Sequence, residues 1–202
     1  LGSGSTATGT AGDPNDALRT LEHGGTAWYD DASLTSTTEA ADAFTAAAIA
    51  AATEGFSASC LLDEGAFGAV YRGTSRTGAV VAVKVLKLEK LDKGKAMQDF
   101  RHEADVLGKY RHPNIIALLG TSRVSLDRRG WRRSMLQPCA VFELMKGSSL
   151  KARLRGSECG TPLSPHNRFC IASDVARGLT FLHTVCDPPV IHQDIKSDNI
   201  LL

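Results

Sequence analysis

The most constraining feature of this sequence is its change of character at Cys60, where an alanine-rich segment gives way to short β-branched runs separated by glycine. One such run, Val80–Leu86 (VVAVKVL), predicts a strand that begins shortly after Gly78. Further strands are predicted over Ile115–Val124 and Cys139–Leu144. The predicted order is strands, helix, strands, helix, loop and strand. This order lacks the strict strand–helix alternation of a parallel α/β fold and indicates an α+β chain.

Two helices are predicted from the spacing of apolar residues. The segment Lys95–Lys109 is predicted to be an amphipathic helix, which His112-Pro113-Asn114 ends. A second long helix is predicted to begin at Pro165 and to end before Pro188-Pro189. The apolar stripes of the two helices comprise Met97, Phe100, Ala104 and Leu107 in the first and Ile171, Val175, Leu179 and Leu182 in the second.

The N-terminal part of the chain is predicted to lie outside the main domain. Residues 1–38 are rich in Gly, Ser, Thr and Ala, a composition typical of a flexible tail. Residues 39–55 are predicted to form an alanine-rich helix, covering Glu39–Glu54, that leads into the domain. Because the first residue is Leu rather than Met, the chain is expected to be cut at its N-terminus.

The composition gives only general indications of partners and cellular compartment. Lys and Arg number 23 and Asp and Glu 22, so the formal net charge of +1 gives no reason to expect nucleic acid as a partner. The five cysteines are scattered without a Cys-x-x-Cys pair, which favours free thiols in a reducing compartment. No signal peptide or membrane span is predicted within the chain. We therefore predict a cytoplasmic location, with membrane attachment through flanking sequence left open.

The segment Glu64–Tyr71 (EGAFGAVY) places two glycines three residues apart between strand-like segments. A glycine lets main-chain N–H groups approach phosphate oxygens, because no Cβ stands in the way. On this segment alone, however, a glycine-containing hairpin turn is the better interpretation.

A lone lysine, Lys84, lies in the apolar strand Val80–Leu86. Alternation along the strand puts Ala82, Lys84 and Leu86 on one face and the valines on the other. A buried lysine needs an anion nearby, and Glu103 on the following helix is the candidate. An edge-strand lysine that reaches solvent is the alternative.

The polar loop His192–Asn199 (HQDIKSDN) is the most specific of these features. It holds a carboxylate at Asp194, a lysine two residues later at Lys196 and an amide five residues later at Asn199. Phosphoryl transfer needs a carboxylate to orient the attacking hydroxyl, an oxygen ligand for Mg²⁺ and a cation near the transferred group. The same residues in a solvated turn would be unremarkable, but their order and spacing are restrictive.

Together these segments resemble the catalytic domain of eukaryotic protein kinases. The resemblance runs from about Ala52 to Leu202 and includes VAVK ending at Lys84, HPNII beginning at His112, and HQDIKSDN. ATEGFSASCLLDEGAFGAVYRG, VFELMKGSSL and DVARGLTFLH are similar to plant receptor-like and Pelle-like kinases. The lysine of DIKSDN is the serine/threonine pattern.

The resemblance implies an architecture and an activity. The expected fold is a five-stranded antiparallel sheet with one helix, forming an N-lobe and hinge over residues 56–147, followed by a partial, mainly helical C-lobe over 148–202. The expected function is that of an ATP-dependent protein serine/threonine kinase, with ATP and Mg²⁺ as cofactors and a protein bearing a Ser or Thr acceptor as partner.

For the phosphates of ATP, the resemblance implies that Gly65 and Gly68 cover them, with Phe67 at the loop tip. It also implies that Lys84 holds the α- and β-phosphates and is itself held by Glu103.

For the adenine, the resemblance implies that Val70 and Ala82 enclose the ring and that Phe142 is the gatekeeper. The hinge would run from Glu143 to Met145 and bind the adenine edge through its main chain.

For the chemistry, the resemblance implies that Asp194 is the catalytic aspartate and that Lys196 contacts the γ-phosphate. It assigns Asn199 to a Mg²⁺ ion, and His192 to support of the loop.

Three departures from the family pattern motivate a second hypothesis. Asp63 replaces the first glycine of the phosphate loop, Gln193 replaces the arginine of His-Arg-Asp, and the chain ends at Leu202 before Asp-Phe-Gly. We therefore expect the 202-residue chain by itself to be inactive. The alternative function is a catalytically inactive nucleotide-binding pseudokinase or signalling scaffold.

Overall fold

The structure is a computed structural model that describes residues 44–65, 67–88, 92–126, 136–156 and 162–202. The predicted tail at 1–38, the first residues of the predicted N-terminal helix and most of the basic loop before the last strand of the sheet lie outside these residues. The helices are α1 Ala46–Ala52, α2 Lys93–Lys109, α3 Leu150–Arg155 and α4 Pro165–Thr184, with a short 3-10 helix at Ala58–Cys60. The strands are β1 Leu61–Glu64, β2 Gly68–Thr74, β3 Val80–Leu86, β4 Leu118–Val124 and β5 Gln137–Glu143.

The five strands form one antiparallel sheet in the order β1-β2-β3-β5-β4. This confirms the predicted five-stranded antiparallel architecture. Strand β5 lies between β3 and β4 and is buried along almost its whole length, as expected for a central strand covered on both faces. The sheet is therefore the middle layer of the N-terminal half.

Each face of the sheet packs against a different helix. On one face, Ile49 of α1 joins a core with Tyr71, Val83, Val85 and Val141. On the opposite face, the buried residues are Leu86, Leu88, Phe100, Ala104, Leu118, Ala140 and Phe142, with α2 supplying Phe100 and Ala104. The alternation predicted for β3 is thus confirmed, because its valines and its Leu86 belong to different cores.

Helix α1 is shorter than predicted at both described ends. Thr45 has extended dihedral angles and caps the helix by accepting the N–H of Ala48, so the helix begins at Ala46. At the other end, Thr53 is fully buried and its hydroxyl donates to the carbonyl of Ile49 at 2.8 Å. The chain then turns with Glu54 at φ 51°, which ends the helix at Ala52 rather than at Glu54. The predicted end was wrong because the polar side chain of Thr53 competes with helix continuation.

Two strand boundaries also differ from the prediction. Strand β4 begins at Leu118 rather than Ile115, because Ile115 closes a turn with His112 through a 3.0 Å main-chain hydrogen bond. Strand β5 begins two residues earlier than predicted, at Gln137. The Gln137 side chain is buried and accepts the N–H of Leu88 at 3.0 Å, so a polar residue is satisfied inside the sheet.

Helix α4 is anchored to the end of α2. It begins at Pro165, as predicted, with Ser164 as the N-cap. The Tyr110 hydroxyl donates to the carbonyl of Asp187 at 2.8 Å and accepts the N–H of the same residue at 2.9 Å. The rings of Tyr110 and His112 both contact Phe181 of α4. The helices of the described residues include none that is both long and apolar enough to cross a membrane.

Candidate active site

One face of the sheet carries the residues expected to surround a nucleotide. Val70 is the cross-strand partner of Lys84, and Ala82 is that of Phe142. Because directly paired residues point to the same side of a sheet and residues two apart share a face, all four side chains lie on one face. Phe142 is buried, whereas Val70, Ala82 and Lys84 are only partly covered. This face therefore offers an apolar surface beside an ammonium group.

The two glycines lie at the turn between β1 and β2, Gly65 within it and Gly68 at the first position of β2. The N–H of Gly65 donates to the carbonyl of Gly68 at 2.9 Å, and Phe67 at the tip is largely exposed. A Cβ at Gly68 would lie 2.2 Å from the carbonyl oxygen of Val85, so the approach of β2 to β3 requires glycine there. A Cβ at Gly65 would meet nothing within 4 Å. Packing thus accounts for Gly68, and it does not account for Gly65.

Lys84 and Glu103 form the ion pair that the sequence predicts. The Lys84 Nζ lies 3.0 Å from Oε1 and 3.1 Å from Oε2 of Glu103, so the contact is bidentate. The side chains are 37% and 44% exposed, which makes the pair more accessible than the inward position predicted for Glu103. An exposed pair of this kind contributes little to folding. Its ammonium is held in place where an anion could reach it.

At the end of β5, Glu143 is held by hydrogen bonds, whereas Met145, two residues later, is exposed. The N–H of Glu143 donates to the carbonyl of Ala117 at 3.2 Å, and its Oε1 accepts the N–H of Ala117 at 2.8 Å. The side chain of Glu143 therefore locks the end of β5 to the start of β4. Met145 is exposed, and its main chain makes no hydrogen bond with the residues that the structure describes. A ligand edge could pair with that main chain.

The loop after α4 brings together three of the predicted residues. The Asp194 carboxylate accepts from Lys196 Nζ at 2.7 Å and from Asn199 Nδ2 at 2.9 Å through the same oxygen, Oδ2. Asn199 Nδ2 also donates to the carbonyl of Asp194 at 2.9 Å. His192 accepts the N–H of Asp194 through Nδ1 at 3.3 Å, a contact that fits its predicted supporting role. Gln193 has φ 63°, so the chain bends sharply just before the carboxylate.

These contacts set the charge state of the loop. The hydrogen bond from Lys196 and then that from Asn199 lower the pKa of Asp194 below its usual range. The same contact with Asp194 raises the pKa of Lys196. Near neutral pH the loop therefore presents a carboxylate and an ammonium side by side, both largely exposed. The carboxylate can accept a hydrogen bond from an incoming hydroxyl through Oδ1.

A metal ligand is also available in this loop. Because Nδ2 of Asn199 is the atom that donates to Asp194, its Oδ1 is left without a hydrogen bond to the residues that the structure describes. Amide and carboxylate oxygens are the ligands that Mg²⁺ prefers. Asn199 thus offers one oxygen of the kind that suits Mg²⁺.

No role is predicted from the sequence for Lys151 of α3 or for Asp198 in this loop. Lys151 of α3 forms an ion pair with Asp198 at 2.5 Å. The main chain of residues 147–151 also pairs with that of residues 197–202. No local pattern predicts these contacts, because they join segments almost fifty residues apart. The only hint in the sequence is that Asp198 adds a second carboxylate to a loop that already contains one.

Comparison with known proteins identifies relatives across this region. The family model for protein tyrosine and serine/threonine kinases matches residues 56–202. The chain is 39% identical over 154 residues to the Arabidopsis thaliana protein named serine/threonine-protein kinase BRI1-like 1, covering 75% of this chain and 12% of that protein. It is 40% identical over 157 residues to the Drosophila melanogaster serine/threonine-protein kinase pelle, with 75% and 29% covered.

A further relative is the Arabidopsis thaliana receptor-like kinase LIP2, which is 38% identical over 161 residues, with 79% of this chain and 26% of that protein covered. The chain thus spans less than half the length of each of these curated relatives. The predicted resemblance to receptor-like and Pelle-type kinases is confirmed. The match extends over the sheet, α4 and the loop that contains Asp194, and it shows that this chain belongs to the protein tyrosine and serine/threonine kinase family.

Proposed function

We propose that the protein containing this chain is an ATP-dependent serine/threonine kinase that transfers a phosphoryl group from MgATP to hydroxyl groups of proteins. The observation that carries the proposal is the cluster in which Asp194 accepts hydrogen bonds from both Lys196 and Asn199. Such a cluster combines an acceptor for a hydroxyl proton, a cation and a metal ligand within one loop.

The phosphates of ATP would lie between the glycine turn and the ion pair. Lys84, oriented by its bidentate contact with Glu103, supplies positive charge to the α- and β-phosphates. Gly65 and Gly68 would allow the turn to approach the phosphates, with Phe67 at its tip closing over them. The space around Gly65 supports this role, because no packing contact explains the glycine there.

The adenine would lie against the open face of the sheet. Val70 and Ala82 supply apolar contacts to the ring on that face. Phe142, as the gatekeeper, would limit how far the adenine site extends behind the ring. The segment from Glu143 to Met145 would form the hinge. The exposed main chain of Met145 supports this role, because it can bond the polar edge of a planar ring.

The transfer step follows from the position of Asp194. A serine or threonine hydroxyl donates a hydrogen bond to the carboxylate, which orients its oxygen toward the γ-phosphorus. The new bond joins that oxygen to the γ-phosphorus, the bond to the β–γ bridging oxygen breaks, and ADP leaves. The hydroxyl proton passes to Asp194. Lys196 offsets negative charge on the transferred group and is the second catalytic residue of the proposal.

The metal would be held by Asn199 with help from the phosphates. Bound Mg²⁺ supplies charge neutralisation at the phosphate oxygens during transfer. Asn199 suits this role because its amide nitrogen is fixed on Asp194, which turns its carbonyl oxygen outward.

The organisation and surroundings of the protein belong to the same proposal. Residues 56–147 would form the N-lobe and hinge, and residues 148–202 part of a C-lobe. The partner would be a protein with a Ser or Thr acceptor, with no role for nucleic acid, and the domain would work in the cytoplasm. Some relatives are named receptor-like kinases, so attachment to a membrane through other parts of the protein is an alternative.

A nucleotide-binding pseudokinase or scaffold is the second candidate. Asp63 favours a pseudokinase or scaffold. This exposed carboxylate lies in β1 just before the turn between β1 and β2, where its negative charge would repel the phosphates of ATP. Gln193 adds to it, since an amide cannot pair with a phosphorylated loop as an arginine does. Retention of Asp194, Lys196 and Asn199 together favours the kinase.

The test compares two acidic residues in the full natural polypeptide that contains this sequence. Asp194→Asn should lower the rate of ³²P transfer to a generic acceptor protein by about 10²- to 10⁴-fold, while the Kd for ATP changes less than about threefold. Asp99→Asn, an exposed carboxylate on α2, serves as the matched control and should change neither quantity. Equal turnover in the two variants would refute the role of Asp194. Tight ATP binding without any transfer in the unmodified protein would favour the scaffold.

A further inference from the structure

The segment that follows the proposed hinge is joined by main-chain hydrogen bonds to the end of the loop that contains Asp194 and to the residues after it. Gly147 N–H donates to the carbonyl of Leu202 at 2.5 Å, and Leu202 N–H donates to that of Ser148 at 3.0 Å. Two further bonds run from Leu150 N–H to the carbonyl of Ile200 at 2.7 Å and from Lys151 N–H to that of Ser197 at 3.0 Å. We call this pairing of residues 147–151 with 197–202 the clamp.

The clamp is tight enough to fix the position of α3. A Cβ at Gly147 would lie 2.4 Å from the carbonyl oxygen of Leu202, so only glycine allows the two chains to approach so closely. Ser149 and Leu201 form an antiparallel bridge in the middle of the pairing. The first residues of α3 are therefore fixed beside the loop. The main-chain hydrogen bond of Lys151 to Ser197 sets where its side chain begins.

The clamp places the Lys151 ammonium in contact with the Asp198 carboxylate. Their ion pair lies next to a second one, between Asp194 and Lys196. A tight turn connects the two pairs, because Asn199 N–H donates to the carbonyl of Lys196 at 2.9 Å. Lys196 and Asp198 are two residues apart, so their α-carbons are at most ~7 Å apart. Their charges interact: besides the larger effect of Asp194, Asp198 also raises the pKa of Lys196, and besides the larger effect of Lys151, Lys196 also lowers the pKa of Asp198.

The loop thus contains two carboxylates and one ammonium of its own, and α3 supplies the second ammonium. With Lys151 in place, each carboxylate has a separate cation. Without Lys151, Asp198 would be left beside Lys196, and two carboxylates would compete for one ammonium. A shift of Lys196 toward Asp198 would lengthen its 2.7 Å contact with Asp194, so part of the population would lose that contact.

We propose that Lys151 is a positioning residue for phosphoryl transfer: by binding Asp198 it prevents that carboxylate from drawing Lys196 away from Asp194. The inference rests on the proposed function, because it assigns Lys151 a role in the same reaction. Lys151 does not touch the reacting atoms. It acts through Asp198 on the position of Lys196.

A purely structural tether makes a different prediction from this role. If the ion pair only fastened α3 to the loop, removing either partner would have the same effect. Under our proposal the two partners are unequal, because loss of Lys151 releases a competing carboxylate, whereas loss of the charge on Asp198 releases none. This asymmetry is the measurable signature.

The experiment measures kcat and the KM for ATP in the full natural polypeptide. Lys151→Met should lower kcat about three- to tenfold, with KM changed less than about twofold, a size expected for a pair that is partly exposed. Lys151→Arg should keep kcat within about twofold, because it retains the cation. Asp198→Asn should also stay within about twofold, and the double variant Lys151→Met with Asp198→Asn should recover most of the lost kcat. Arg155→Met, a cation on the same helix outside the clamp, is the control.

Two results would overturn the proposal. One is a Lys151→Met variant with unchanged kcat. The other is an Asp198→Asn variant, or a double variant, that is as impaired as Lys151→Met, since that pattern indicates a tether. If Lys151→Met does not fold, Asp198→Asn and Lys151→Arg still decide between the two roles.

A structural readout separates this proposal from the proposed function. In a crystal structure of Lys151→Met, Lys196 Nζ should lie nearer to Asp198 than to Asp194, and in the double variant it should return to Asp194. Lys196 remaining on Asp194 in Lys151→Met would refute the inference even if the protein is a kinase. Absence of transfer in the unmodified protein, with the predicted movement of Lys196, would instead refute the function and leave the electrostatic role of Lys151 standing.

Discussion

The sheet and the loop that follows α4 are stabilised in different ways. In the sheet, Val83, Val85 and Val141 are almost fully buried in the core that also contains Ile49 of α1. In the loop, Asp194 and Lys196 are largely exposed and are held by hydrogen bonds between polar side chains. Burial makes the sheet sensitive to the shape of its side chains, whereas the loop is sensitive to charge and hydrogen-bonding capacity. Substitutions in the two regions should therefore alter different observables.

The largest expected effect tests whether burial dominates in the N-terminal half. Phe100 of α2 is 6% exposed in the core beneath the sheet, whereas Phe169 of α4 is 74% exposed. Phe100→Ala should lower the free energy of unfolding by about 3 to 5 kcal/mol, because it removes buried surface and leaves a cavity. Phe169→Ala should change it by less than ~0.5 kcal/mol. Urea denaturation of both variants measures this, and similar losses would show that α4 is covered in solution.

The next effect concerns the reactivity of two cysteines. Burial raises the pKa of Cys139 in β5 to about 12, whereas Cys170 on α4 is exposed. This rise from the usual value of 9.0 leaves Cys139 with a far smaller thiolate fraction than an ordinary cysteine at pH 8. Iodoacetamide at pH 8 should therefore label Cys170 in the folded protein and Cys139 only after unfolding. Mass spectrometry measures both rates, and rapid labelling of Cys139 would mean that the sheet opens readily.

A smaller effect separates the two glycines of the phosphate turn. Gly68→Ala should lower the free energy of unfolding by about 1 to 3 kcal/mol, since its Cβ would overlap the carbonyl of Val85. Gly65→Ala should leave stability within ~0.5 kcal/mol, because the space around it is open. If Gly65 approaches phosphates, its variant should instead weaken ATP binding. Thermal unfolding and ATP titration of both variants distinguish packing from ligand contact.

The smallest effect concerns the charge at Asp63. Asp63→Gly should tighten ATP binding by about 1 kcal/mol, roughly fivefold in Kd, by removing negative charge near the phosphates. Asp63→Asn is the matched variant, because it removes the charge and keeps the side chain. Calorimetric titration with ATP measures both. Tighter binding in the glycine variant alone would assign the effect to the backbone, and unchanged binding in both would show that the carboxylate points away from the nucleotide.

The regions also differ in how much of them could be predicted from the sequence. The strand Val80–Leu86 and the start of α4 at Pro165 were predicted correctly, because alternation and capping are local properties. The pairing of Lys84 with Glu103 was predicted from a charge in an apolar strand and a helix with one acidic residue beside its stripe. The catalytic, ATP-binding and metal-binding roles of the site residues remain predictions.

What the sequence could not provide is contact between distant segments. The clamp, the pair of Lys151 with Asp198 and the contact of Tyr110 with Asp187 all depend on tertiary placement. The end of α1 was misjudged for a related reason. The high helix propensity of alanine predicted continuation to Glu54, but burial of Thr53 and its bond to Ile49 ended the helix earlier.

Helix α1 has a consequence for where the folding unit begins. The family match starts at residue 56, yet Ile49 belongs to the core of the sheet and Thr53 is fully buried. The ring of Phe44 also lies against Gly120 of β4. A polypeptide truncated to the family boundary would lose Ile49 from this core and expose apolar side chains of the sheet, which favours self-association. The packed core therefore extends beyond the residues that the family match covers, and α1 contributes that extension.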